Sequence, residues 1–183
     1  MAAQYDRTSQ DFGNIVALEH VNVTVPDQQA ATAFYIMGLG FTRDPYMTVG
    51  LDNMWVNLGH SQFHLPTNAA QRVPGCIGVV VPDLAALAQR FERVAPQLAG
   101  TQFGFHVREQ HIEAVCPWGN RFNCHAPGAQ FGAMQLGLAY VEFDVPRGAA
   151  DGAVRRARAG LLRPPSSAQH QAERDRDYGH GRV

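Results

Sequence analysis

The stretch that decides the fold is His20-Val21-Asn22-Val23-Thr24-Val25-Pro26-Asp27. Apolar and polar residues alternate through it. Val21, Val23 and Val25 therefore face one side of a strand, and His20, Asn22 and Thr24 face the other. Asp27 is placed to cap a helix with its carboxylate. The same order recurs at Cys76-Ile77-Gly78-Val79-Val80-Val81-Pro82-Asp83. It starts a third time at Tyr140-Val141-Glu142-Phe143-Asp144-Val145-Pro146. The starts lie about sixty residues apart, longer than the usual solenoid period, so each unit is a small αβ module.

Outward from the first stretch, Ala31, Phe34, Tyr35 and Leu39 follow at helical spacing, and Gly38 and Gly40 end the helix. Short strands are expected over 41–43, 53–58 and 61–65, with Pro66-Thr67-Asn68 closing the module. In the second copy Asp83 caps a helix through Leu84, Leu87, Phe91 and Val94, and Gly100 ends it. Strands are expected over 102–107, 111–115 and 121–125, the last entered through the turn Pro117-Trp118-Gly119-Asn120. Each complete unit is βαβββ, an α+β pattern of one helix on a small mixed sheet.

The third copy yields a strand and, over 148–158, a helix at best. Residues 159–183 are polar, charged and nearly free of large apolar side chains. Such a segment buries too little surface to offset chain entropy and is expected to be disordered.

The chain has 183 residues and a formal net charge of −1, with 15 Arg and no Lys. That balance gives no footprint for nucleic acid or an anionic membrane. No apolar run reaches the roughly twenty residues a bilayer requires. Met1 to Asn14 is polar and lacks a secretory core, so a cytoplasmic location is the expectation. Cys76, Cys116 and Cys124 are odd in number and lack C-x-x-C spacing, which argues for small buried residues over a disulfide framework or zinc ribbon.

The two complete modules resemble the vicinal oxygen chelate superfamily, which includes glyoxalase I, extradiol dioxygenases, and bleomycin- and fosfomycin-resistance proteins. The residues that carry the resemblance are His20 to Asp27, Gly38-Leu39-Gly40-Phe41, Gln62-Phe63-His64-Leu65 and Pro117-Trp118-Gly119-Asn120-Arg121-Phe122. It spans about Ile15 to Pro127, with a partial third match from Gly137 to about Arg158. The resemblance implies a first module over 15–68, a second over 73–127, a partial third over 137–158 and a tail over 159–183. It also implies sheets of paired modules curled into a cleft, with metal ligands on the first and last strand of each module. By position these are His20 and His64, then Cys76 and Asn123, with His125 on the same strand face as Asn123.

On that reading the protein is a metal-dependent enzyme, a dioxygenase or a glyoxalase-like lyase or isomerase, acting on a small molecule with adjacent oxygens. The ion would be Fe2+, Zn2+, Mn2+ or Ni2+, acting as a Lewis acid. The last-strand positions carry His64 and Asn123 where family metalloenzymes supply a carboxylate, so no 2-His-1-carboxylate set stands at the expected places. Glu113 is a possible substitute, and Cys76 as a thiolate would favour zinc. The rival readings are a metal-free protein that sequesters a small molecule, with Trp55 as a wall, and an inactive remnant of a four-module ancestor. Trp55, Phe63 and Phe122 are otherwise expected in the core. His60, His106, His111 and Arg121 are expected at the surface.

The unfinished third copy is expected either to dock as an added strand, on this chain or on a second subunit of a homodimer, or to mark a truncation. In the latter case the arginine-rich tail from Arg155 would be a shifted reading frame.

Overall fold

A computed structural model describes residues 18–47, 52–149 and 180–182. The chain divides into two units, Glu19–Ala139 on the one hand, and Met1–Leu18 with Tyr140–Val183 on the other.

The first unit holds two βαβββ modules. In the first, strand β1 (His20–Asn22) leads to helix α1 (Gln28–Ala31), then strands β2 (Thr42–Arg43), β3 (Asn53–Leu58) and β4 (Ser61–Pro66). The sheet order is β1-β4-β3-β2, with β1 parallel to β4 and the other pairs antiparallel. In the second, β5 (Gly75–Val80) leads to α2 (Leu84–Val94), then β6 (Gly104–Val107), β7 (His111–Val115) and β8 (Arg121–His125). Here the order β5-β8-β7-β6 repeats the first sheet, again with the first and last strands parallel. The fold is thus α+β, built of paired βαβββ modules.

Strand β1 is shorter than the alternation over 18–25 predicts. Its contact with β4 continues beyond Asn22 through Val23 N–H to the His64 carbonyl and Val25 N–H to the Pro66 carbonyl, both 3.0 Å. The burial pattern follows the alternation, since Val23 and Val25 are buried while His20 and Asn22 are exposed.

Asp27 caps the first helix as expected. Its Oδ1 accepts from the amides of Gln29 at 2.7 Å and Ala30 at 3.2 Å. After one α-helical turn the chain widens into a π-helix over Thr32–Gly38, which the apolar spacing does not reveal. Gly40 turns the chain at φ +76°, where a Cβ would also meet the Arg90 guanidinium. Asp83 caps α2 through the Ala86 amide at 2.9 Å.

The helical segments pack on each other and share one aromatic core. Phe34 stacks on Phe91 with ring centroids 6.0 Å apart. Phe122 of the second module reaches Phe34 at 5.4 Å and Phe63 at 5.9 Å. Phe63 and Phe122 are core residues, as expected. The segment after β8 runs back to the first module: Leu138 N–H donates to Ser61 Oγ at 3.3 Å, and Gly59, at φ +64°, lies against the Leu136 carbonyl with no room for a Cβ. The three cysteines are buried and not in disulfides.

The second unit, among its described residues, contains strand β9 from Tyr140 onward (the whole strand is Gly137–Pro146) and β10 (His180–Arg182), paired antiparallel with Arg182 opposite Asp144. The third-copy helix after Ala149 and the tail expected over 159–183 lie outside the described residues, apart from that short strand. Among the described residues no helix is long and apolar enough to cross a membrane.

Candidate functional site

Each sheet turns one face to the aromatic core and leaves a polar face on its other side. On the first sheet, the parallel register sets His20 beside Gln62 and Asn22 beside His64, and the antiparallel register sets Trp55 opposite His64. These five side chains share one face because paired residues on neighbouring strands point the same way.

Glu19 accepts a hydrogen bond from His20 Nδ1 through Oε2. A carboxylate on Nδ1 favours the tautomer that keeps the lone pair on Nε2. The His20 side chain is 41% exposed. Trp55 stacks on His64 with centroids 4.1 Å apart and planes 13° apart, and His20 meets the same indole at 5.5 Å. Trp55 is therefore a wall of the polar face and not a core residue, because its register with His64 sets it opposite the buried Met54 and Val56. Desolvation first, and then the neighbouring His20, hold the His64 imidazole below its ordinary pKa. Its Nε2 is buried and has no hydrogen-bond partner among the described residues.

Beside this cluster lies a network absent from the sequence reading. Asp44, only 8% exposed, takes Asn57 Nδ2 at 2.9 Å and Gln62 Nε2 at 3.1 Å on Oδ2. The amides of Tyr46 and Met47 donate to its Oδ1 at 2.8 Å. These bonds, that from Met47 foremost, hold the Asp44 carboxyl below the usual carboxylate range.

On the second sheet the register places Cys76 beside Arg121, Gly78 beside Asn123 and Val80 beside His125. Counting from the two caps, Cys76 occupies the place of His20, and Asn123 that of His64. Glu113 stands opposite Asn123, but Arg108 grips its Oε2 through Nε at 3.0 Å and Nη2 at 2.7 Å. His111, expected at the surface, faces His125 across the strands at 5.6 Å and approaches Glu113 Oε1 at 3.6 Å. Phe131 covers His125 at 5.1 Å. Burial first, then His111, pushes the His125 pKa down to about 4. Arg121 is exposed, with Nε on the Gly75 carbonyl at 2.9 Å.

The structure thus brings His20 and His64 together on one face, and lays Cys76, Asn123 and His125 along another, with Cys76 and His125 at opposite ends of the β5–β8 pairing. Among the described residues no group of three or more His, Cys, Asp or Glu side chains is placed to hold a metal ion. Cys76 and His125 accordingly do not join His20 and His64 within one chain.

No protein-family model matches the sequence. No curated protein matches it either. Solved structures do. A lactoylglutathione lyase from Agrobacterium tumefaciens is 16% identical, with a TM-score of 0.47 over 65% of this chain and 98% of that one. A fosfomycin resistance protein from Mesorhizobium loti is 16% identical, with a TM-score of 0.47 over 62% of this chain and 94% of that one. A putative glyoxalase family protein from Bacillus anthracis is 21% identical, with a TM-score of 0.45 over 62% and 97%. With two βαβββ sheets read directly from its strand pairing, the chain resembles the vicinal oxygen chelate superfamily in fold.

Proposed function

We propose that the polar face of the first module binds a small molecule with vicinal oxygens at a divalent metal held by His20 and His64, in a metal-dependent enzyme of the glyoxalase-like lyase or dioxygenase kind. The observation that supports this most is the pair of imidazole nitrogens. Glu19 orients His20 through Nδ1, and His64 Nε2 is buried without a partner among the described residues. An orphaned buried ring nitrogen costs stability unless something occupies it, and a metal ion would. The imidazole pair fits a borderline ion such as Zn2+, Fe2+ or Ni2+ better than the harder Mn2+.

A metal bound there would supply Lewis acidity toward the ligand's two oxygens. Glu19 holds the His20 tautomer. Burial, and then the neighbouring His20, lower the His64 pKa and so favour the neutral form that ligates. Trp55 gives the site a flat apolar wall. The remaining positions fall to ligand oxygens or to Cys76, Asn123 and His125. In a homodimer, the second module of another copy would supply the latter three.

The test is metal content of the purified full chain after equilibration with Zn2+. Stoichiometric metal is expected in the wild type and its loss in both His20→Ala and His64→Ala. Glu19→Gln is expected to weaken binding by about tenfold or more. A wild type that stays folded and takes up no metal overturns the metal reading. The Trp55–His64 stack favours a second reading in that case, a metal-free binding protein that uses those rings as a platform.

A further inference from the structure

We infer that Gln62 is the specificity-determining acceptor of the first face, held in that role by Asp44, and that it selects a ligand carrying an O–H or N–H next to the atom that meets His20. This rests on the first face being the ligand site, with or without a metal.

A carboxylate can only accept, so the nitrogen ends of both side-chain amides must face Asp44 Oδ2. Gln62 Nε2 donates to it at 3.1 Å and to Asn57 Oδ1 at 2.6 Å. Asn57 Nδ2 donates to the same Oδ2 at 2.9 Å. Both protons of the Gln62 amide are thereby engaged within the network. The other polar atom of that amide, Gln62 Oε1, takes no part in these bonds. A glutamine on an open surface turns over and offers either end. This one offers only oxygen, because turning it would set that oxygen against a carboxylate and the Asn57 carbonyl. The Asp44 residue that fixes it exposes little surface and is itself held by the amides of Tyr46 and Met47. Gln62 is also the register partner of His20 on the neighbouring strand, so the two side chains leave adjacent positions on the same face. A ligand hydroxyl that keeps its proton there gains a bond, whereas its methyl ether loses it.

Asp44 is a positioning residue, and its role has a sharp consequence. In Asp44→Asn the new amide nitrogen would face two others. The network satisfies itself by reversing: Asn57 turns its oxygen to position 44, its nitrogen then donates to Gln62 Oε1, and Gln62 Nε2 is left outward. The face changes from acceptor to donor.

The probes are 2-hydroxy-2-phenylacetate and its O-methyl ether, titrated calorimetrically into the full chain with and without Zn2+. The wild type is expected to bind the hydroxy acid about fivefold tighter than the ether. Gln62→Met should bring the ratio to about one, and Asp44→Asn should invert it. A simple loss of packing would weaken both probes alike and leave the ratio alone. An unchanged ratio in Gln62→Met, a wild-type ratio of one, or failure of both probes to bind overturns the inference. If Asp44→Asn does not fold, Gln62→Met decides alone. Stoichiometric metal with a ratio of one sinks this inference and spares the metal reading. A metal-free wild type whose ratio disappears in Gln62→Met does the reverse.

Discussion

The two modules are the same scaffold furnished differently. Their sheets share strand order, connectivity and register, so their polar faces compare position by position. His20 stands where Cys76 does, Gln62 where Arg121 does, His64 where Asn123 does, and Trp55 where Glu113 does. The first face has an imidazole pair, an indole wall and a directed amide network. The second has an Arg108–Glu113 ion pair, a thiol and a histidine pair beneath Phe131. Repetition of backbone thus did not bring repetition of chemistry. The core faces, in contrast, are interchangeable in kind, because any close-packed apolar set serves there.

The largest test of the comparison concerns whether the modules stand alone. Phe122→Ala removes the ring that reaches Phe34, Tyr35 and Phe63 across the shared core. A loss of about 3–5 kcal/mol in one cooperative unfolding transition is expected in urea. Two separate transitions, with only the second module weakened, would break the picture of a shared core.

A smaller effect separates the faces by pH. Between pH 6.5 and about 4 the unfolded chain protonates His125 while the folded chain keeps it neutral. Stability is therefore full above pH 6.5 and declines as pH falls through that window, by about 1–2 kcal/mol after discounting for the ring's partial solvation. His125→Asn should flatten that decline in chelator-treated protein, as followed by thermal denaturation. His64 shifts in the same direction and leaves a residual slope.

The caps sharpen the comparison further. Asp27 accepts from two amides and Asp83 from one. Each Asp→Ala change should cost about 1 kcal/mol, with Asp27→Ala the costlier by chemical denaturation. The smallest effect belongs to Arg108→Ala. Its ion pair with Glu113 is about half exposed, so the melting midpoint should hardly move, a change within about 0.5 kcal/mol. A large loss there would mean that the second face has a structural demand the first lacks.

Much of this organisation is legible along the chain. Alternation over His20 to Val25 and the Pro-Asp pairs mark both starts, and the strands Asn53–Leu58, His111–Val115 and Arg121–His125 stand where the patterning places them. The positional match of His64 with Asn123 also emerges in the register. The Trp55 face is half legible, since Asn53 and Asn57 lie on its side of the strand. The facing pair of His111 and His125 could have been found by counting outward from the Pro117–Asn120 turn, because two antiparallel strands joined by a known loop have a fixed register.

Asp44 is different. In sequence it is a polar residue before a proline, and nothing local says that it will orient amides on two other strands. The π-helix over Thr32–Gly38, which packs against α2, likewise leaves no periodic trace.

By itself, then, the sequence determined the elements, their caps, the repeat and which side of each strand is polar, because backbone preference and alternation act between near neighbours. Beyond neighbours and hairpin partners, tertiary structure alone decided which polar side chains meet. Only strand pairing set His20 beside Trp55 and His64, turned Gln62 toward Asp44, and left Cys76 and His125 on a separate face. Those outcomes depend on distances between residues far apart in the chain, and a local pattern carries no record of them.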